Sequence, residues 1–282
     1  MKKDGVIVGS TIRNCNLIYD RELMVFFIVK IEQQKLEFVV EKISKIPEVN
    51  STMQLLIKQR AIVFATLTDY NEVNKIKSQI RELPFVEKVD PEILIAVKTT
   101  PYNLSIFGDN KEIHNNGIAE QKKDKISKKI KIDETDKQII EQLAINGRTA
   151  FSRIAKEIGS STDQVIKRYK RLVKNNLIRV TVQINPLKLG YNAFGVFSLT
   201  FSKNNLIESL KYIKNIKNVN LLIQSMGQHD LYLYIMIKDI DGFLNETKEI
   251  MKIPGIIKAE CDITRLFEVW PPREIFMQSS IF

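Results

Sequence analysis

The sequence predicts an α+β chain in which two βαββαβ units of ferredoxin-like topology flank a small three-helix module with a wing. Two observations carry that expectation. The same order of elements recurs about 170 residues apart, and the stretch between the copies has the helical periodicity and basic charge of a separate module.

In the first copy, Leu23 to Val29 is a branched and aromatic run short enough for a buried strand. Leu36, Val39, Val40, Ile43 and Ile46 then recur at helical spacing up to Pro47. Strands are expected over 49–57 and 61–68, a helix over 70–83 ending at Pro84, and a closing strand over 86–97. The second copy repeats this with a strand over 193–201, a helix over 205–216, strands over 219–226 and 231–238, a helix over 240–252, and a strand to about 268. Leu83-Pro84-Phe85-Val86 and Ile253-Pro254-Gly255-Ile256 are counterparts. The boundaries expected are 1–97 for the first copy, 98–130 for a polar, lysine-rich linker, 131–182 for the central module and 183–282 for the second copy.

Charge singles out the centre. The net charge of +10 divides as +1, +3, +5 and +1 over those four segments. A basic module between neutral ones is the electrostatic footprint of nucleic-acid binding. No apolar run approaches the ~18 residues of a membrane span, and the first residues lack a secretory signal, so a cytoplasmic protein is expected. Two distant cysteines, Cys15 and Cys261, and two histidines, His114 and His229, argue against a disulfide framework, a zinc site or triad chemistry. No catalytic residue, metal or cofactor is assigned.

Within the central module, Asp133 is expected to cap a first helix with Asp136 at its third position. Ile139, Ile140 and Leu143 line its apolar face, and Asn146-Gly147 ends it. A second helix over 150–158 buries Phe151, Ile154, Ala155 and Ile158 and stops at Gly159. Ser161-x-x-Gln164 is a capping box for a third helix, whose core stripe is Val165, Tyr169 and Leu172. Three short helices with a glycine turn before the third are a helix-turn-helix pattern, and 177–182 is a strand, hence a wing. Groove entry uses the start of the third helix, which makes Thr162, Asp163, Gln164 and Lys167 the expected base readers, with Ser161 counted among the DNA-binding residues. Arg168, Lys170 and Arg171 are expected to hold phosphates, and Arg148 is a further expected DNA-binding residue.

These residues resemble the leucine-responsive regulator (Lrp/AsnC) family. The resemblance lies in Ile132 to Ile140, in Asn146-Gly147-Arg148 followed by Ile154-Ala155 and Gly159, in Ser161 to Leu172, and in Asn185-Pro186-Leu187-Lys188-Leu189-Gly190. It covers 131–270 closely and 1–97 more loosely. It implies that the βαββαβ units are RAM sensing domains, that the partner is double-stranded DNA, and that the effector is an amino acid or related small metabolite. It also implies a Gly-x-x-Asp ligand loop, matched by Gly227-Gln228-His229-Asp230, so Gly227, His229 and Asp230 are the expected ligand-binding residues. Ala150 replaces a usual capping serine, which leaves Thr149 as the expected cap of the second helix, and His229 replaces a usual aromatic residue. The first copy has Lys58-Gln59-Arg60-Ala61 at its loop, without the glycine or the aspartate. Its start, Lys3 to Ile7, resembles the exit of a recognition helix whose preceding helices are missing.

Two other classes compete. Siroheme decarboxylases resemble this architecture, and a metabolite-sensing subunit without DNA binding shares it. One winged helix per chain, set against a palindromic site, predicts a homo-oligomer of at least two chains.

Overall fold

A computed structural model of the protein describes residues 4–14, 23–99, 132–175, 177–202, 206–213 and 215–272. The chain forms two compact units, one of residues 1–20, 120–188 and 267–282, the other of 21–119 and 189–266. The expected linker lies outside the described residues except where the strand before it runs on to Thr99, and Cys15 lies outside them too.

The larger unit holds both copies. The first is β2 (Leu23–Ile31), α1 (Leu36–Ile43), β3 (Val49–Leu55), β4 (Arg60–Leu67), α2 (Tyr70–Arg81) and β5 (Val86–Thr99). The second is β7 (Ala193–Phe201), α6 (Leu206–Ile213), β8 (Val219–Met226), β9 (Leu231–Ile237), α7 (Ile240–Met251) and β10 (Ile256–Arg265). The copies superpose in sequence at one offset of 170, from Leu23 to Ala193, Tyr70 to Ile240 and Val86 to Ile256.

All eight strands make one antiparallel sheet in the order β10-β7-β9-β8-β5-β2-β4-β3, so each copy contributes its strands in ferredoxin-like order. The copies join where β5 pairs with β8, with Ile93 opposite Met226 and Leu94 opposite Ser225. The equivalent approach at the far ends is lighter: Leu56 N donates to Ile263 O at 2.9 Å, drawing β3 towards β10.

Both faces of the central strands are covered, which explains why their sequences are nearly continuous apolar runs. Val25, Phe27 and Val29 pack under α1 and α2 with Val39, Ile43, Ile76 and Ile80. The alternate residues Met24, Phe26 and Ile28 are buried too, and Phe26 meets Tyr232 of the other copy edge-on at 5.5 Å.

The smaller unit holds α3 (Glu134–Ile145), α4 (Phe151–Glu157), α5 (Thr162–Lys174) and β6 (Ile178–Ile184), followed by a 3-10 turn over Pro186–Leu189. Its core is Ile139, Ile140, Leu143, Ile154, Val165, Leu172 and Ile178, joined by Ile12 from β1 (Ile7–Asn14). Here the structure departs from the expected boundaries. β1 pairs with β6 antiparallel rather than joining the first copy, and Ser10 O accepts from Gly147 N at 3.0 Å. Thr11 sits opposite Thr181, its own counterpart at the 170-residue offset, so the two wing strands meet about a local two-fold. The chain past β10 also returns to this unit: Ile184 and Trp270 exchange two backbone hydrogen bonds of 2.8 Å, and Trp270 is buried. The physical reason is the same for both. β6 alone is a bare edge strand, and β1 and the 270 segment supply its missing ladder partners.

Candidate nucleic-acid interface

The three helices are set by their caps. Asp133 and Asp136 form a reciprocal capping box at the start of α3: Asp136 N donates to Asp133 Oδ1 at 3.0 Å and Asp133 N to Asp136 Oδ2 at 3.2 Å. Ala150 is the N-cap of α4 and gives it no side-chain cap. Thr149, expected to cap it, instead donates its hydroxyl to Asn146 O at 2.8 Å, which closes the preceding turn. Gly159, at φ 66°, supplies the left-handed residue that the turn before α5 requires. Ser161 Oγ accepts from Gln164 N at 3.2 Å, half of the expected box; Gln164 Oε1 accepts from the Ser160 hydroxyl rather than returning to Ser161.

α5 then shows two faces. Val165 and Leu172 are buried, with the Tyr169 ring tilted against Phe151 at 4.9 Å between centroids. Thr162, Asp163, Gln164, Lys167, Lys170 and Lys174 are exposed, and so are Ser161 and Arg148 in the turns beside the helix.

Arg168 and Arg171, expected to hold phosphates, also make ion pairs within the unit. Arg168 Nη1 donates to Asp133 Oδ1 and Oδ2 at 2.8 and 2.7 Å and to Asp136 Oδ1 at 3.0 Å, and Arg171 Nη2 donates to Asp136 Oδ2. Asp136 is fully buried, and two guanidiniums make its burial tolerable. The pairing holds the Asp133 carboxyl below its ordinary range, chiefly through Arg168 and next through the Asp136 backbone amide, and it pushes Arg168 higher still. These arginines fasten α5 to the start of α3, and Arg171, with 41% of its side chain exposed, shares the open face with the lysines.

The Gly227 loop is equally occupied. Asp230 Oδ2 accepts from Phe201 N at 2.8 Å, so its carboxylate is committed to the end of β7. His229 is buried, with Nδ1 2.9 Å from Glu92 Oε1 and 3.1 Å from the Tyr232 hydroxyl. Glu92, from β5 of the other copy, reaches so close that a Cβ on Gly227 would lie 2.7 Å from its Cγ. Burial, reinforced by the Glu92 charge, drives the Tyr232 phenol far above its usual range and keeps it neutral. Sequence reasoning missed Glu92 here and Asp136 as an anchor.

Comparison with known proteins agrees with the helical geometry. The AsnC-type helix-turn-helix domain matches residues 132–173, from the turn before α3 almost to the end of α5. An HTH-type transcriptional regulator of Pyrococcus furiosus is 30% identical over 149 residues, 51% of this chain and 99% of that protein. The chain belongs to the Lrp/AsnC family of transcriptional regulators. The HTH-type transcriptional regulator LrpA of Pyrococcus horikoshii is 35% identical over 130 residues, 45% of this chain and 92% of its own length. The siroheme decarboxylase NirDL shares the fold over 93% of this chain and 77% of its own, with TM-score 0.64 at 13% identity. The two regulators each match about half of this chain.

Proposed function

We propose that the chain is a sequence-specific regulator that sets α5 into the major groove of duplex DNA, with Thr162, Asp163, Gln164 and Lys167 facing bases. Lys170, Lys174 and Arg148 lie towards phosphates. The supporting observation is the division of α5: its apolar stripe is buried in the unit, while its polar start, its lysines and Arg171 stand exposed on one helix. Asp163 is placed to accept from a cytosine amino group or to favour the helix N-terminus. The wing is the β1–β6 ribbon. At least two chains assemble on the operator, since each brings one winged helix and a palindrome presents two half-sites ~34 Å apart.

The effector, an amino acid or related small metabolite, acts at the Gly227 loop in competition with the Glu92 side chain, with His229 lining the same place. Thermal-shift screening against amino acids should give a larger response in Glu92→Ala than in the unmodified chain. Equal responses, or none in either, would remove the loop as the effector site.

Genome-wide crosslinking of the protein to DNA tests the whole reading. Enrichment of a short repeated motif, with binding that weakens steeply with salt, supports it. Random recovery would replace it with a metabolite-sensing subunit that does not bind DNA, and a tetrapyrrole absorption band on the purified protein with the enzymatic alternative.

A further inference from the structure

Helix α7 carries an apolar stripe that its own unit leaves uncovered. Ile240, Leu244 and Met251 are 65%, 49% and 59% exposed. With Thr247 they follow the 4-3-4 spacing of a helix-pairing seam and fall within about 60° of arc at 100° per residue. The same helix already buries a different side, where Phe243 and Ile250 pack into the core of the second copy. The equivalent positions of α2 are Tyr70, Asn74, Lys77 and Arg81, so only the second copy has the seam. Just beyond α7, Ile257 is 67% exposed where the first copy has Glu87.

We propose that α7 is the surface on which a second copy of this chain docks, its α7 antiparallel to the first about a two-fold axis. This rests on the reading above that two chains assemble, and adds where. Charge selects the occupant and the direction. The solvent-side shoulder of the seam bears Asp241 near its start and Lys248 and Lys252 near its end. Lys252 also pairs with Glu249 of its own helix at 2.6 Å. Antiparallel copies set Asp241 within a turn of the partner's lysines and oppose the helix dipoles favourably, whereas parallel copies face like with like. A 12-residue helix is ~18 Å long, so the contact is a concentration-dependent one centred on Leu244 rather than an obligate interface.

Light scattering of the full chain over a micromolar concentration series is the test. The unmodified chain is expected to reach the mass of a dimer, and Leu244→Glu with Met251→Glu to stay monomeric with an unchanged melting temperature. Asp241→Lys and Lys248→Asp should each weaken association, and the two together restore it, which keeps the test decisive if the glutamate variant misfolds. A dimer untouched by the glutamate pair, or charge reversals that do not compensate, would overturn α7 as the surface while leaving the two-chain reading intact. A chain that stays monomeric throughout the series, its seam covered by another segment of itself, would overturn both.

Discussion

Across the sheet, each copy offers an acidic residue to the other copy's hairpin, and the two hairpins receive it differently. Asp262 on β10 is met by the first copy's loop with backbone donors: Ile57 N at 2.9 Å and Lys58 N at 3.3 Å, besides its own neighbour Ile263 N at 2.9 Å. Its counterpart at the 170-residue offset, Glu92 on β5, meets the second copy's loop through a hydrogen bond with His229 and close packing on Gly227, and among the described residues Glu92 Oε2 has no hydrogen-bond partner. Both carboxylates are buried. The first junction is a satisfied clasp, reinforced where Lys58 and Arg60 reach Glu260 at 2.7 and 3.1 Å. The second is an under-satisfied contact that a competing ligand could replace. A duplicated fold can thus satisfy one inter-copy contact fully and leave its equivalent under-satisfied, which is what the proposed effector reading draws on.

The comparison can be broken most forcefully at Asp262. Asp262→Ala strands two loop amides and should cost about 2–4 kcal/mol in chemical denaturation, since hydrogen bonds to a buried charge are each worth ~1.5–3 kcal/mol. Gly227→Ala is next: the added methyl collides with Glu92 and should cost about 1–3 kcal/mol, most of it recovered when Glu92→Ala is added. Glu92→Ala alone should change stability by less than ~1 kcal/mol, because it removes a carboxylate whose second oxygen has no donor. A large loss there would show the two junctions to be equivalent after all. The smallest effect is in acid. Burial raises the Glu260 carboxyl, but Lys258, Lys58 and Arg60 outweigh it and hold the group well below its ordinary range. Its stabilisation is therefore present above the unfolded pKa of ~4.3 and lost as pH falls below it. Glu260→Gln should flatten the fall in melting temperature through that window.

Much of this was legible in residue order. Element types and the repeat followed from apolar periodicity and the paired prolines, and the Asp133, Ser161 and Gly159 signals placed the helix ends. What stayed hidden was long-range pairing. Nothing local to Ile7–Asn14 distinguishes a strand of the first copy from one that completes the wing, and the partner of a bare edge is chosen in three dimensions. Arg168 and Arg171 sit on the basic face of a helical wheel, yet a wheel does not show that Asp136 lies 32 and 35 residues back at bonding distance. Glu92 and Asp262 did leave a trace: an acid in the same register of two apolar strands is a buried-carboxylate signal once the offset is known.

The claim that α5 reads DNA with its exposed start, while its arginines hold the fold, is tested most directly by fluorescence anisotropy on specific and scrambled duplexes across a salt series. Gln164→Ala and Lys167→Ala should each lower specific affinity by about 1–3 kcal/mol with little change on scrambled DNA and an unchanged melting temperature. Arg171→Ala should lower the melting temperature, because it leaves the buried Asp136 short of a partner. Wild-type affinity and specificity in the Gln164 and Lys167 variants would contradict the account and take this helix out of the groove.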